Sequence, residues 1–172
     1  MKKLNIMKNI LFTLALLISF SSFGQTSDEY FNSGYDKAEN GDYYGAISDY
    51  TKAIELDPND AMAYFNRGNS KKKLGDLNGA ISDFTKAIEL KPNDARAYIN
   101  RGLAKLNLKD YYGVISDSTR AIELDPNYSE PYRNRGISKE ELGDLNGACD
   151  DWKKAAKLGD TDAGEWVSAQ CN

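Results

Sequence analysis

The sequence predicts an all-α fold built as a stack of helix pairs, and three observations carry that expectation. The first is a period: Tyr30, Tyr64, Tyr98 and Tyr132 are each separated by 34 residues, and self-similarity at a fixed spacing of this size marks repeat architectures. The second is that each period contains two helical patterns, as at residues 61–68 and 80–88, parted by the breaker Leu74-Gly75-Asp76. The third is a set of small-residue columns in the same register: Gly34, Gly68, Gly102 and Gly136; Ala46, Ala80, Val114 and Ala148; Ala53, Ala87, Ala121 and Ala155.

Along the chain, residues 1–24 read as a secretory leader. Lys2, Lys3 and Lys8 precede an apolar run over residues 10–18 that is too short to span a bilayer comfortably. Ser22 and Gly24 stand at the two positions a signal peptidase reads, which predicts cleavage between Gly24 and Gln25; an uncleaved anchor is the alternative. Four units follow, at residues 27–60, 61–94, 95–128 and 129–162, each a helix, a tight turn and a second helix. Gly41, Gly75 and Gly143 can take the left-handed conformation that ends a helix, and the aspartate after each can cap the next one. Lys109 stands in place of that glycine in the third unit, so the turn there is expected to be strained or differently shaped. Pro58, Pro92 and Pro126 close the first three units because proline lacks the amide hydrogen and clashes with the preceding turn; the fourth ends in Gly159-Asp160. Within a unit, Gly68 and Ala80 let the two helix backbones approach while Tyr64, Phe84 and Ala87 fill the seam.

Period, small columns and terminal prolines together resemble the tetratricopeptide repeat family over residues 27–162. The resemblance implies a right-handed superhelix whose first helices line a concave groove and whose second helices form the convex back. A stack of this kind needs an end lid. Trp166 lies 34 residues after Tyr132, so residues 163–172 are read as a single capping helix whose aromatic packs where a next unit would place its own.

Several columns invite a functional reading. Arg67, Arg101 and Arg135 occupy a position where the family more often has leucine, each preceded one unit earlier by Asp49, Asp83 or Asp117, while the first unit has Ser33. That pattern predicts ion pairs across unit boundaries, with ligand binding as the alternative. Asn32, Asn66, Asn100 and Asn134 form a second column, which either hydrogen-bonds the backbone of an extended peptide or ties neighbouring helices together. Some family members grip acidic carboxyl termini with a clamp of lysine, asparagine and arginine. Here Asn66, Asn69 and Arg96 match pieces of it, but Phe31 and Phe65 stand where a clamp lysine is expected and Asn100 where an arginine is.

The partner-binding groove is placed on the first helices. Phe31, Tyr35, Phe65, Ile99, Leu103 and Leu106 are expected as its apolar floor, on the face opposite Gly34, Gly68 and Gly102. Asn66, Asn69 and Asn100 stand among them, and Arg96 and Lys72 at the margin would favour a partner carrying some negative charge. The alternative is that these residues fill space between adjacent first helices. Cys149 and Cys171, the two cysteines of the chain, are read as a disulfide fastening the lid to the last unit.

Composition narrows the function. The chain has 172 residues, 22 basic and 26 acidic side chains and no histidine. The three leader lysines leave 19 basic against 26 acidic residues after cleavage, a net charge of −7, which gives no basic face for nucleic acid. Without histidine, and with every prominent carboxylate recurring as part of the repeat, nothing points to catalysis, a metal or a cofactor. The sequence therefore predicts a non-catalytic module, exported to a periplasm or beyond and not inserted in the membrane after cleavage. It would hold a protein or peptide partner in its groove; a self-associating scaffold, a homo-oligomer, is the alternative.

Overall fold

A computed structural model describes residues 25–171; the leader expected over residues 1–24 lies outside the described residues. Four antiparallel helix pairs follow one another: α1 (Ser27–Glu39) with α2 (Tyr43–Leu56), α3 (Ala61–Lys73) with α4 (Leu77–Leu90), α5 (Ala95–Asn107) with α6 (Tyr111–Leu124), and α7 (Ser129–Glu141) with α8 (Leu145–Lys157). A final helix, α9 (Thr161–Gln170), lies against α8. None of the described helices is long and apolar enough to cross a membrane.

The turns inside the pairs follow from local chemistry. Asp42, Asp76, Asp110 and Asp144 cap α2, α4, α6 and α8, each accepting a hydrogen bond from the backbone amide of the glycine three residues on. A side chain on those glycines, Gly45, Gly79, Gly113 or Gly147, would collide with the capping carboxylate. Lys109 adopts φ of 61°, in the same left-handed region as Gly41 and Gly75 at 81° and 83°. The third turn is therefore not differently shaped; it keeps the glycine geometry and carries the strain of a Cβ there. Asp60 and Asp94 cap α3 and α5, but Tyr128 stands at the equivalent place before α7, which has no side-chain cap.

The core alternates large and small, as the columns require. Ala46, Ala80, Val114 and Ala148 are fully buried, and so are Ala53, Ala121 and Ala155. Tyr50 packs over Gly34, Phe84 over Gly68 and Trp152 over Gly136, so closely that a Cβ on these glycines would meet the ring. In the third unit Ser118 takes the aromatic's place, and the nearest atom to a Cβ on Gly102 is Asp117 Cβ at 3.5 Å.

The arginine column pairs differently from the sequence-based expectation. Arg67 grips Asp83, Arg101 grips Asp117 and Arg135 grips Asp151, all within one unit, through Nε and Nη2 at 2.6–3.0 Å. Lys71, Lys105 and Lys139, one turn further along, reach the same three carboxylates at 2.8 Å. Asp49 instead accepts from Ser33 and Lys37, both at 2.6 Å. In an antiparallel hairpin of this turn length a residue faces one 16 positions later, so the carboxylate comes from the same pair and not from 18 positions earlier in the preceding one. What does cross the boundary is the third guanidinium nitrogen: Nη1 of Arg67, Arg101 and Arg135 donates to the hydroxyls of Thr51, Thr85 and Thr119 at 3.0–3.1 Å. No pair precedes α1 among the described residues to supply such a hydroxyl, and Ser33 satisfies Asp49 there without a guanidinium.

At the far end α9 closes the stack. Trp166 packs against Trp152, ring centroids 5.3 Å apart, in a cluster with Tyr132, Cys149, Ala163 and Val167. Cys149 and Cys171 are joined by a disulfide, their Cα atoms 5.6 Å apart, so the residue that follows the lid helix is tied to the second turn of α8.

Candidate binding groove

Successive first helices touch one another, α1 with α3, α3 with α5 and α5 with α7, and their shared face is the surface on which the sequence places a partner. Phe31 and Phe65 do not form an exposed floor opposite the glycine contacts. Phe31 packs against Tyr50 at 5.7 Å and Phe65 against Phe84 at 5.8 Å, the same rings that cover Gly34 and Gly68. The reason is helical geometry: residues 31 and 34, 65 and 68, and 99 and 102 are three apart and so lie on one face. Ile99 is 6% exposed and belongs to the core. Leu103 and Leu106 are half-buried, and Tyr35 is 49% exposed.

The polar candidates divide in the same way. Asn100 is already engaged, accepting from Lys72 Nζ at 2.6 Å and donating to the Arg96 carbonyl at 3.0 Å. Burial pushes the Lys72 ammonium below the ordinary lysine value, opposed by the Glu130 carboxylate and reinforced by Lys73. Arg96 lies over the Phe65 ring, 5.5 Å from its centroid, and its guanidinium is bound to Asp94 at 2.7 and 3.0 Å. Hydrogen bonding to Arg96 in turn holds the Asp94 carboxyl below its usual value despite its burial. The two cations expected to meet an acidic partner are thus committed within the chain. Asn66 and Asn69, by contrast, have side-chain amides with no hydrogen-bond partner among the described residues, and Asn134 is buried.

Asn66, Asn69 and Tyr35 come together at a cavity of about 200 Å³ between the first two pairs, with Tyr43, Tyr50 and Ser70 and with Glu39 and Lys73. The sequence reading missed Tyr43, Glu39, Tyr50 and Lys73. A signal for the first was present, since Tyr43 and Tyr111 alternate with Leu77 and Leu145 and mark a place where the repeat is not fixed by packing alone. A larger hollow of about 650 Å³ lies on the outer side of α1, lined by Glu29, Asn32, Ser33, Asp36 and Lys37 among others. All its lining residues are polar, and Ser33 and Lys37 are already bound to Asp49.

Family models describing TPR repeats match residues 34–75, 61–94 and 95–128. The chain belongs to the tetratricopeptide repeat family. Its right-handed superhelical stack of helix pairs is that of the family's solved structures. A crystal structure of MamA protein is 27% identical, with a TM-score of 0.81, 86% of this chain covered and 82% of that one. MamA residues 41 to the end, from Desulfovibrio magneticus RS-1, is 26% identical with a TM-score of 0.72, covering 77% and 75%. The first TPR of Spaghetti (RPAP3), bound to the HSP90 peptide SRMEEVD, is 28% identical with a TM-score of 0.67, covering 69% of this chain and 94% of that one. No curated protein matches the chain by sequence. As a tetratricopeptide repeat protein, the chain is a protein-interaction module.

Proposed function

We propose that this module holds an extended peptide segment of a protein partner along its first helices, in a complex outside the cytoplasm. The observation that carries the reading is the pair of unengaged amides, Asn66 and Asn69, beside the cavity between the first two pairs. An asparagine side chain offers an NH2 group with two donor hydrogens and, beside it, an acceptor oxygen, which can pair with the amides and carbonyls of an extended backbone. The Spaghetti (RPAP3) structure holds a peptide, which supports a peptide as the ligand type. Phe31 and Phe65 in place of clamp lysines, and Asn100 in place of a clamp arginine, speak against the same acidic tail as the ligand here. The leader and the disulfide both favour an oxidising compartment, a periplasm or the exterior.

A photo-cross-linking side chain placed at Asn69, and in a second variant at Tyr44 on α2, tests the proposal in an envelope extract. Adducts at position 69 that disappear when Asn66 is changed to alanine, with thermal stability unchanged, are the expected result. Adducts at Tyr44 alone would overturn it. A second reading, self-association, is favoured by Tyr44 and Tyr112, which are 77% and 76% exposed; a cross-linked dimer of the chain through Tyr44 would support it in place of the first.

A further inference from the structure

The cavity between α1, α2 and α3 differs in chemistry from the rest of the groove. Three phenol rings line it: Tyr35, Tyr43 and Tyr50, the last 1% exposed. Glu39 lies among them, and Asp36 stands one residue after Tyr35 on the same helix. Burial pushes the Tyr50 phenol up to about 12, and Tyr35, Glu39 and Asp36 add to the rise. Aromatic faces carry a negative quadrupole and attract cations, and a carboxylate close by adds a Coulombic attraction of its own. At about 200 Å³ the space falls below the roughly 300–1,000 Å³ of small-molecule sites and suits one long side chain.

We propose that this pocket takes the basic side chain of the bound peptide, an arginine or lysine whose charge lies against the tyrosine rings and Glu39. Asn66 and Asn69 then hold the adjoining backbone. The inference rests on the groove reading above and specifies the class of peptide it binds. It replaces the acidic partner anticipated from Arg96 and Lys72, both of which are engaged by Asp94 and Asn100. Lys73, exposed and also lining the cavity, is the one cation among the described residues of the lining, and it gives the proposal an internal control of opposite sign.

The test is a nuclear magnetic resonance titration of the isotopically labelled, oxidised protein with four acetylated and amidated tripeptides, Ala-Arg-Ala, Ala-Lys-Ala, Ala-Glu-Ala and Ala-Leu-Ala. The arginine and lysine peptides are expected to give saturable shifts at Tyr35, Glu39, Asn66 and Asn69. Glu39→Gln should weaken their binding by a factor of about two to five, and Lys73→Gln should strengthen it by a similar factor, the scale of one exposed ionic or cation–aromatic contact. Tyr35→Ala should weaken it without altering the spectrum elsewhere, which shows the variant to be folded. Binding of the glutamate peptide here, with the two charge variants acting in the reverse sense, would overturn the inference and leave the groove reading in place. The same holds for saturable shifts from the leucine peptide alone. Silence from all four peptides at these amides would also overturn it, while adducts at position 69 would still report on the groove itself.

Discussion

At the scale of single residues, the feature that recurs is a buried carboxylate shared by two cations. Asp117 has a side chain only 3% exposed and accepts from Arg101 at 2.6 Å and Lys105 at 2.8 Å. Removing one partner of a buried pair leaves the other uncompensated, which is more damaging than the pair's net worth. Asp117→Ala strands two cations and should cost about 3–5 kcal/mol, whereas Arg101→Ala leaves Lys105 in place and should cost about 2 kcal/mol, the value of charge-assisted hydrogen bonds. Denaturant midpoints of the two variants check the order; equal losses would mean that Lys105 contributes nothing. Asp49 is the member of this column without an arginine. Burial works to raise its carboxyl, but the Lys37 ammonium and the Ser33 hydroxyl outweigh it and hold the group below its ordinary value. A carboxyl depressed in the folded state stabilises fully above its unfolded value of about 4 and loses that contribution as pH falls through the lower folded value. Unfolding followed below about pH 4 should therefore show a loss of stability that Asp49→Asn makes smaller. Sequence reading found both columns and joined them wrongly, because separations of 16 and 18 both recur at every unit and only the hairpin register distinguishes them.

Among the elements, the helix pairs were legible because period, small columns and breakers all point to the same boundaries. The groove was less so: apolar residues on a first helix serve the seam within a pair as well as the concave face, and residues 31 and 65 lie three before a glycine that a ring must cover. The turns also show where the repeat departs from its own best sequence. Lys109 holds a left-handed conformation that costs a Cβ-bearing residue about 1–2 kcal/mol, and Tyr128 leaves α7 without the cap that Asp60 and Asp94 give α3 and α5. Lys109→Gly and Tyr128→Asp should each stabilise the protein by about 1 kcal/mol. The expected signature is a higher denaturant midpoint with an unchanged slope, and a lower midpoint for either would show that its native residue makes a compensating contact.

For the whole molecule, each pair contacts chiefly its neighbours, so stability is expected to vary along the stack and to be lowest at its ends. The disulfide acts at one of those ends. It closes a span of 22 residues, for which loop-closure arguments suggest roughly 3 kcal/mol. The double variant Cys149→Ser, Cys171→Ser should lose about that amount, with hydrogen exchange quickening first in α9 and α8 and little in α1 to α4. A uniform rise along the chain would mean that the stack unfolds as one unit.

The threonine-to-arginine joint makes neighbouring pairs interchangeable parts. Thr51 meets Arg67 in the same way that Thr85 meets Arg101, and Asp60 occupies before α3 the place that Asp94 occupies before α5. Excision of residues 61–94 would thus bring Thr51 to Arg101 and set Asp60 at the start of α5, splicing the chain at a matched seam. Such a three-pair protein is expected to fold, while the pocket beside Asn69 is lost because Leu103 takes that position. A chain with seams of this kind can lengthen or shorten by whole units through duplication and deletion of 102-nucleotide segments, changing what it grips without having to reinvent how it stands.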